Sequence, residues 1–282
     1  MRNALSVDIE DWFQVGAFET VIDRNSWNSR ECRVEKNTDN VLALFDDANV
    51  KGTFFTLGWV AERYPELIRR IVDAGHEIAS HGYGHDRVFN FTPGQFADDL
   101  ERSRKLIEDA AGVAVTGYRA PSFSIDQRTP WAHEILAEQG YTYSSSVAPI
   151  KHDHYGWAEA PRFAFFPVAG SDFLEIPVTT AQFGPKRLAA GGGGFFRLLP
   201  YAFSHWAINQ VNRRDGRPAV IYFHPWEIDP DQPRVANAPI KSKIRHYTKL
   251  GVMAEKLRRL PRDFQWERLD SVVAREKLRL AG

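Results

Sequence analysis

Hydrophobic positions along the chain alternate between short apolar runs and longer stretches in which apolar residues recur with helical spacing. The strand-like runs cover residues 5–9, 52–57, 76–79, 113–119, 141–147 and 219–223. The helical patterns cover residues 59–74, 92–112, 130–139 and 200–213, and an earlier helix is expected after a predicted cap at 37–40. This alternation predicts repeated strand and helix units and a mostly parallel sheet.

Capping residues mark the predicted helix boundaries. Thr92 is predicted as the N-cap of the longest helix, and Gln95 is placed to complete a capping box with it. That helix is expected to end near Gly112, and Gly75 is expected to end a single helix over residues 59–74.

Three segments depart from the alternation. Residues 163–180 alternate in polarity and turn at 170–172, which predicts a small β-hairpin or meander inserted into the repeat. The four glycines at 191–194 lack the flanking residues of a phosphate-binding loop, so a mobile linker is predicted there. From Lys243 onward the chain is charged with a helical pattern, which predicts a helical C-terminal extension of one domain over residues 1–282.

Overall composition is that of a folded protein with no charge bias. The 282 residues are 43% hydrophobic, and 36 Lys and Arg balance 36 Asp and Glu. With this balance, no global field attracts nucleic acid or an anionic membrane. The single cysteine, Cys32, excludes an internal disulfide and a zinc ion held by cysteines. No apolar run approaches the length of a membrane span and no secretory signal is evident, so a cytoplasmic protein is expected, while the oligomeric state is not indicated.

Polar residues that can bind metals or transfer protons follow the predicted strands. Three acids, Asp8, Glu10 and Asp11, end the first strand, whereas Arg119 and His224 end two later ones. The C-terminal ends of the strands form the catalytic face of barrels of parallel strands. These side chains are therefore expected to converge on one cleft.

His81 and His85 form a pair at metal-ligand spacing after the third predicted strand. If a helix begins at Ser80, both rings project to one side of its first turn. Neutral imidazoles bind divalent first-row metals, and a carboxylate from the acid cluster would complete the three protein ligands of a catalytic site. The remaining histidines are predicted to be structural or exposed, namely His76, His133, His152, His154, His205 and His246.

Four motifs at these positions resemble those of the polysaccharide deacetylases, the NodB-type domain of carbohydrate esterase family 4. They are residues 6–13 (SVDIEDWF), 80–85 (SHGYGH), 118–123 (YRAPSF) and 222–230 (YFHPWEIDP). The first and last are similar, more narrowly, to the subgroup found beside exosortase and PEP-CTERM exopolysaccharide systems. The resemblance implies a distorted, TIM-like (β/α) barrel of about seven strands. It also implies one divalent metal, expected to be zinc, held by Asp or Glu and two His, and hydrolysis of an N-acetyl group on a sugar.

Individual roles follow from the resemblance. Asp8 is expected to act as general base and His224 as the acid that protonates the leaving amine, with Arg119 holding Asp8 ionised. The residues within the motifs that are expected to contact substrate are Tyr83, Pro121 and Trp226.

The metal carboxylate departs from the family pattern and leaves two alternatives. The usual adjacent pair of aspartates is replaced here by residues 8–11 (DIED). On a strand Asp8 and Glu10 share a face, which favours Glu10 as the ligand. Asp11 could serve instead if the strand has already ended.

The group that orients the catalytic histidine is a second departure. No acidic residue stands in the segment 141–146, where the family usually has one. The serines at 144–146 could orient His224, or Glu227 or Asp229 near the histidine itself could do so.

The preferred hypothesis is a metal-dependent deacetylase that removes N-acetyl groups from amino sugars of an exopolysaccharide or of its precursor. An N-acetylated saccharide is then the expected partner. One alternative is hydrolysis of a small cyclic amide that is not a sugar. A second is a non-catalytic carbohydrate-binding barrel, against which the complete set of Asp8, His81, His85 and His224 argues.

Overall fold

Strand β1 (Arg2–Ile9) lies at the centre of the sheet, as its nearly unbroken buried run predicts. The computed structural model describes residues 1–151 and 155–282, so the predictions for His152 and His154 lie outside the described residues. Parallel partners of β1 are the strands β2 (Thr53–Thr56), β9 (Val220–Phe223) and β10 (Gln265–Glu267).

Parallel strands run in the order β9, β1, β2, β3, β4, β5, β6 and curl into a distorted barrel with helices around it, which confirms the predicted fold. The strands not yet given are β3 (Glu77–Ser80), β4 (Gly117–Tyr118), β5 (Tyr143–Ser144) and β6 (Leu174–Glu175). Between β6 and β9 in the barrel, segments of irregular backbone are hydrogen-bonded to β9. The N–H of Thr179 donates to the carbonyl of Val220 at 3.2 Å, and that of Tyr222 donates to the carbonyl of Gly191 at 2.8 Å.

Ten α-helices surround the sheet within the described residues. They are α1 (Val34–Asp47), α2 (Gly58–Arg63), α3 (Pro65–Asp73), α4 (Pro93–Ala111), α5 (Ala132–Glu138), α6 (Gly193–Leu198), α7 (Tyr201–Asn209), α8 (Ile240–Tyr247), α9 (Leu250–Asp263) and α10 (Leu269–Ala281). No helix of the described residues is long and apolar enough to cross a membrane.

Helix α4 begins and ends as its capping residues predict. The Thr92 hydroxyl accepts from the N–H of Gln95 while the Gln95 side chain accepts from the N–H of Thr92, and Gly112 takes a left-handed φ of 69° at the C-cap. The prediction of one helix over residues 59–74 was wrong. Pro65 begins a second helix because it cannot supply the N–H that would continue the first.

Helix α1 begins earlier than the polar residues at 37–40 predict. The Asp11 carboxylate accepts from the N–H groups of Arg33 at 2.7 Å and Val34 at 3.0 Å, at the start of the helix. These are donors that a helix N-terminus leaves unpaired. A distant side chain therefore sets the helix start.

The inserted hairpin lies further along the chain than predicted. Over 163–180 the described antiparallel pairing is one bridge between Phe165 and Glu175, and β6 then joins the parallel sheet beside β5. The hairpin itself consists of β7 (Thr180–Phe183) and β8 (Lys186–Ala189).

The glycines at 191–194 are not a mobile linker, because the first three are buried and lead into α6. A Cβ on Gly192 would lie 2.7 Å from the Tyr222 hydroxyl, and one on Gly193 would collide with Oε1 of Glu227. Both are closer than real Cβ contacts come. The glycines are required by close packing against the end of β9 and the turn that follows it.

The chain from residue 243 onward is helical and packs against the sheet. Its buried side chains include Met253 and Leu257 of α9 and Val272 of α10. Between these helices β10 pairs with the first residues of β1. This part of the chain is therefore an integral layer around the sheet.

Candidate active site

Five of the predicted catalytic and metal-binding residues line one open cleft of about 410 Å³. Asp8 and Glu10 reach it from the end of β1, His81 and His85 from the loop after β3, and His224 from the residue after β9. The convergence expected from parallel strands is confirmed, because the strand ends lie side by side in the sheet.

Among the residues that the structure describes, Glu10, His81 and His85 form a cluster that could hold a metal ion. Their candidate ligand atoms all lie within 4.8 Å of one another. Two imidazoles and one carboxylate are a donor set of catalytic zinc sites. The predicted histidine pair therefore comes together with Glu10.

His81 is held as a neutral ligand with a fixed ring orientation. Its Nδ1 lies 2.7 Å from the backbone carbonyl of Arg119, which can only accept a hydrogen bond, so Nδ1 carries the proton and Nε2 keeps its lone pair. Burial lowers the pKa of His81 to about 4. A hydrogen bond of this kind from the second ring nitrogen orients metal-ligating histidines.

A loop brings His85 to the site, and no helix begins at Ser80. The backbone turns at Gly82, with a φ of 73°, and His85 itself has a φ of 56°. The loop is fixed on α2, because the N–H groups of Gly58 and Trp59 donate to the carbonyls of Gly82 and Tyr83. The pair converges through these turns instead of through helical periodicity.

Glu10 is buried among cationic or cation-binding groups. Its Oε2 lies 2.9 Å from Nε2 of His85 but has no hydrogen-bond partner among the described residues, and its Oε1 accepts from the indole of Trp226 at 3.2 Å. Burial raises the pKa of Glu10, but His85 and His224 outweigh that effect and bring it down to about 2. An ionised, partly unpartnered buried carboxylate beside two histidines fits a divalent metal.

Asp11 lies away from the histidines and caps α1 instead. Its Oδ1 also accepts from the N–H of Trp12 at 2.8 Å. Burial raises the pKa of Asp11 to about 6, and its hydrogen bonds to the backbone oppose the shift. Asp11 is thus not placed as a metal ligand, because its oxygens are occupied by the start of the helix.

Asp8 is paired with a fully buried arginine. Nη1 of Arg119 donates to Oδ1 of Asp8 at 2.7 Å and to the Ser6 hydroxyl at 2.8 Å. The rest of the guanidinium is held by Ser145, with Nε donating to its carbonyl at 3.1 Å and Nη2 to its hydroxyl at 3.0 Å. A fixed arginine orients an adjacent carboxylate through a charge-assisted hydrogen bond.

Several residues were possible partners of His224 from the sequence, and Glu227 is the one that orients it. Nδ1 of His224 lies 2.8 Å from Oε1 of Glu227, and its Nε2 lies 3.4 Å from Oε1 of Glu10. Asp229 instead accepts from the Arg33 guanidinium at 2.6 Å. Burial lowers the pKa of His224, but Glu10 and Glu227 outweigh it and raise the pKa to about 9. The imidazole is therefore held in its proton-donating form.

The serines at 144–146 serve other groups. Ser145 binds Arg119, and the Ser146 hydroxyl accepts from the N–H of Ala120 at 2.9 Å and from the hydroxyl of Ser144 at 2.6 Å. They support the loop after β4, which carries Arg119, and they do not contact His224.

Glu227 is enclosed by groups that sequence reasoning missed. Nε of Arg197 lies 3.4 Å from its Oε2, and Gly193 approaches its Oε1. The Arg197 guanidinium also donates to the carbonyls of Arg245, at 2.7 Å, and Thr248. The run of glycines was the signal that could have indicated this close packing.

Two of the three predicted substrate contacts do not line the cleft. Trp226 lines it and stacks on His246, with ring centroids 4.1 Å apart. Tyr83 instead donates to Glu62 at 2.9 Å, under the Arg102 guanidinium. Pro121 is buried. The substrate contacts expected at Tyr83 and Pro121 therefore stay predictions.

Phe123, Tyr222 and Trp226 form an aromatic wall of the cleft. The sequence did not single out Phe123 or Tyr222. Of the other histidines, His76, His133 and His246 are buried and His205 is exposed, as predicted. His133, for example, lies 3.1 Å from the buried Glu175.

Two family models match successive parts of the chain. Residues 25–144 match the model described as polysaccharide deacetylase, and residues 145–274 match a domain of unknown function, DUF3473. The first range contains the histidine pair and Arg119, the second contains His224, and the acids of β1 precede both.

Curated relatives align with part of the chain. A peptidoglycan deacetylase of Helicobacter pylori is 36% identical over 113 residues, which are 40% of this chain and 38% of that protein. A chitooligosaccharide deacetylase of Bradyrhizobium is 30% identical over 125 residues, 44% of this chain and 51% of that protein. The chain therefore covers about half, or less, of the length of these relatives.

Among solved structures, a candidate polysaccharide deacetylase from Mycobacterium smegmatis superposes with a TM-score of 0.62. The sequences are 22% identical, and the alignment covers 96% of this chain and 88% of that one. At this identity the likeness shows a shared fold, and the chemistry has to be argued from the residues of the site.

Proposed function

We propose that this chain, whose residues 25–144 match the polysaccharide deacetylase model, is a metal-dependent hydrolase that removes N-acetyl groups from amino sugars. One observation carries the proposal: the Glu10, His81 and His85 cluster lies in the same cleft as Asp8 and His224. A metal site, a base and an acid in one cleft are the parts that amide hydrolysis requires.

Glu10, His81 and His85 would hold the metal, and their nitrogen and carboxylate donors suit zinc. A divalent metal bound there supplies a Lewis acid that polarises the acetamide carbonyl and lowers the pKa of water.

Protein side chains would carry the protons. Asp8 accepts the proton of the attacking water, while Arg119 holds the carboxylate in place. His224 donates a proton to the leaving nitrogen as the C–N bond breaks, which releases acetate and the free amine. Glu227 holds Nδ1 of His224, so that the proton to be donated is the one on Nε2.

The substrate that we propose is an N-acetylated amino sugar of an exopolysaccharide or of its precursor. The aromatic wall of Phe123, Tyr222 and Trp226 supports a sugar, because flat rings pack against the apolar faces of saccharides. The cleft is open, so it has room for a chain of sugars. Similarity to proteins named for peptidoglycan and chitooligosaccharide deacetylation agrees with an N-acetyl sugar.

Acetate release tests this function. Purified protein loaded with zinc would be supplied with N-acetylated chito-oligosaccharides, N-acetyl monosaccharides and cyclic amides in parallel. We expect acetate from the saccharides. His224→Ala should lower kcat by about a hundredfold or more, the usual range for general acid catalysis, whereas the exposed His205→Ala should leave it unchanged. Turnover of cyclic amides alone, or an equal rate for His224→Ala, would contradict the proposal.

A further inference from the structure

Helix α8 carries two of the most exposed large aliphatic side chains of the described residues. Ile240 is 76% exposed and Ile244 is 59% exposed. They are four residues apart, so they lie on the same face of the helix. Burial of such a face in water-excluding surroundings is favourable, and within the chain nothing described covers it.

The same segment carries charge of one sign only. Between Asp231 and Glu255 there is no acidic residue. The basic residues of this stretch are Arg234, Lys241, Lys243, Arg245 and Lys249. Lys243 donates to the carbonyl of Ala236 at 2.6 Å and Lys249 to that of Leu198 at 2.7 Å, and among the described residues neither lysine is paired with a carboxylate.

Helix α8 also forms one edge of the cleft. Ser242 and Arg245 line the cleft, and His246 is buried beneath the helix. The isoleucines therefore occupy the outer face of a helix whose inner face borders the active site. Glu19, an acid on the neighbouring cleft wall, is paired with Arg87 at 2.9 Å.

Comparison with an exposed aliphatic residue on another helix shows what distinguishes α8. Leu278 of α10 is also 76% exposed. Its neighbours Lys277 and Arg279 lie 3.2 Å and 2.8 Å from Asp172 and Glu276, so its surroundings carry paired charges. Aliphatic exposure occurs at both places, but Lys243 and Lys249, whose described hydrogen bonds go to neutral carbonyls, accompany it only at α8.

We propose that α8 docks on an anionic membrane surface, with Ile240 and Ile244 inserted at the headgroup boundary and Lys243 and Lys249 on lipid phosphates. A short amphipathic helix with a basic polar face binds in this way, through apolar burial together with attraction to anionic lipid. Docking would place the mouth of the cleft at the membrane. The surface is independent of the hydrolysis proposed above.

Co-sedimentation with vesicles tests the docking. Full-length protein would be mixed with vesicles of phosphatidylcholine alone and with vesicles containing about one third phosphatidylglycerol, a typical source of negative surface potential. We expect binding to the anionic vesicles, and its loss in about 1 M NaCl, where the Debye length is about 3 Å. The double variant Ile240→Ser with Ile244→Ser should bind at least about tenfold more weakly, and Lys243→Gln should weaken binding as well.

Leu278→Ser is the matched control, since it removes an equally exposed aliphatic side chain where the charges are paired, and it should bind like wild type. Melting curves of all variants check that they fold. Equal binding by the isoleucine double variant, or no preference for anionic vesicles, would overturn the proposal. Conversion of a dimer to a monomer by the same double variant would also overturn it, because the face would then serve a second copy of the chain.

Discussion

Nδ1 of His224 and Oε1 of Glu227 lie 2.8 Å apart, joined by a hydrogen bond within one turn of the chain. Because the carboxylate accepts the Nδ1 proton, the tautomer and orientation of the ring are fixed by a residue three positions away. The catalytic histidine and its orienting acid are thus delivered together by the turn after β9.

Removal of Glu227 should separate orientation from metal binding. Glu227→Ala is expected to lower kcat by at least about tenfold, because nothing then holds Nδ1, while zinc content stays at the wild-type level. It should also lower the free energy of unfolding by about 3 kcal/mol, since the buried Arg197 loses its anionic neighbour.

Asp229→Asn is the control for this experiment. Asp229 is paired with Arg33 and does not contact His224. The substitution should affect unfolding but not kcat. If Asp229→Asn lowered kcat and Glu227→Ala did not, the assignment of the orienting acid would be wrong.

Adjacent glycines offer a sharper test of the same packing. A Cβ at position 193 would collide with Oε1 of Glu227, whereas a Cβ at position 194 has no atom within 4 Å. Gly193→Ala should therefore lower both kcat and the free energy of unfolding, the latter by roughly 1–3 kcal/mol. Gly194→Ala should leave both near wild type. Steady-state kinetics and urea unfolding would measure the difference, and indistinguishable variants would rule out the close packing around Glu227.

Asp8→Asn should abolish turnover while zinc remains bound. The substitution removes the proposed base, so kcat should fall by about a hundredfold or more. It also leaves the charge of the buried Arg119 uncompensated, which should lower the free energy of unfolding by up to about 3 kcal/mol. Ser6→Ala removes a neutral partner of the same Nη1 atom and serves as control, with a rate expected within a few-fold of wild type. A near-normal rate for Asp8→Asn would require another base.

Glu77 should make the protein less stable as pH rises toward neutral. Burial raises the pKa of Glu77 to about 7, above its ordinary value of 4.5, and Asp270 adds to the shift. The folded protein then binds a proton that the unfolded chain has released, so this contribution to stability is full at low pH and is lost as pH rises through 7.

Glu77→Gln should remove that dependence. Relative to wild type, the free energy of unfolding of the variant should improve by about 2 kcal/mol between pH 5 and pH 8. Urea unfolding at the two pH values measures this, and the exposed Glu134→Gln is the control, with no such change. A constant difference between Glu77→Gln and wild type would show that Glu77 does not titrate in this range.

Local pattern was sufficient for β1 to β5 and β9 and for one side of the site, whereas β10 lies in the stretch from residue 243 that was predicted to be helical. The acid cluster at the end of β1 indicated both Asp8 and Glu10, which line the cleft, although β1 ends at Ile9 and the N–H of Glu10 donates to the carbonyl of Asp8 at 3.1 Å. Thr92 and Gln95 identified the start of α4, because the capping box is made by residues three apart. Because the C-terminal ends of parallel strands form one face, residues more than two hundred positions apart in the sequence could then be predicted to share a site.

Long-range partners were what the sequence could not indicate. Asp11 caps a helix that begins 23 residues later, and this contact decides which acid faces the histidines. The run of glycines at 191–194 resembles a linker in sequence. In the fold, however, side chains from β9 and from the turn after it pack where Cβ atoms at these positions would lie. The turn at 170–172 suggested a hairpin, but β6 pairs with β5 and so belongs to the parallel sheet.

The most direct test of the proposed metal-dependent chemistry is acetate release from an N-acetylated chito-oligosaccharide by chelator-stripped protein titrated with zinc. Wild type and Asp11→Asn should be inactive when stripped and recover fully with about one equivalent of zinc, whereas Glu10→Gln, which lacks the proposed carboxylate ligand, should not recover. An unchanged rate after stripping, or recovery of Glu10→Gln at the same equivalence as wild type, would contradict the account.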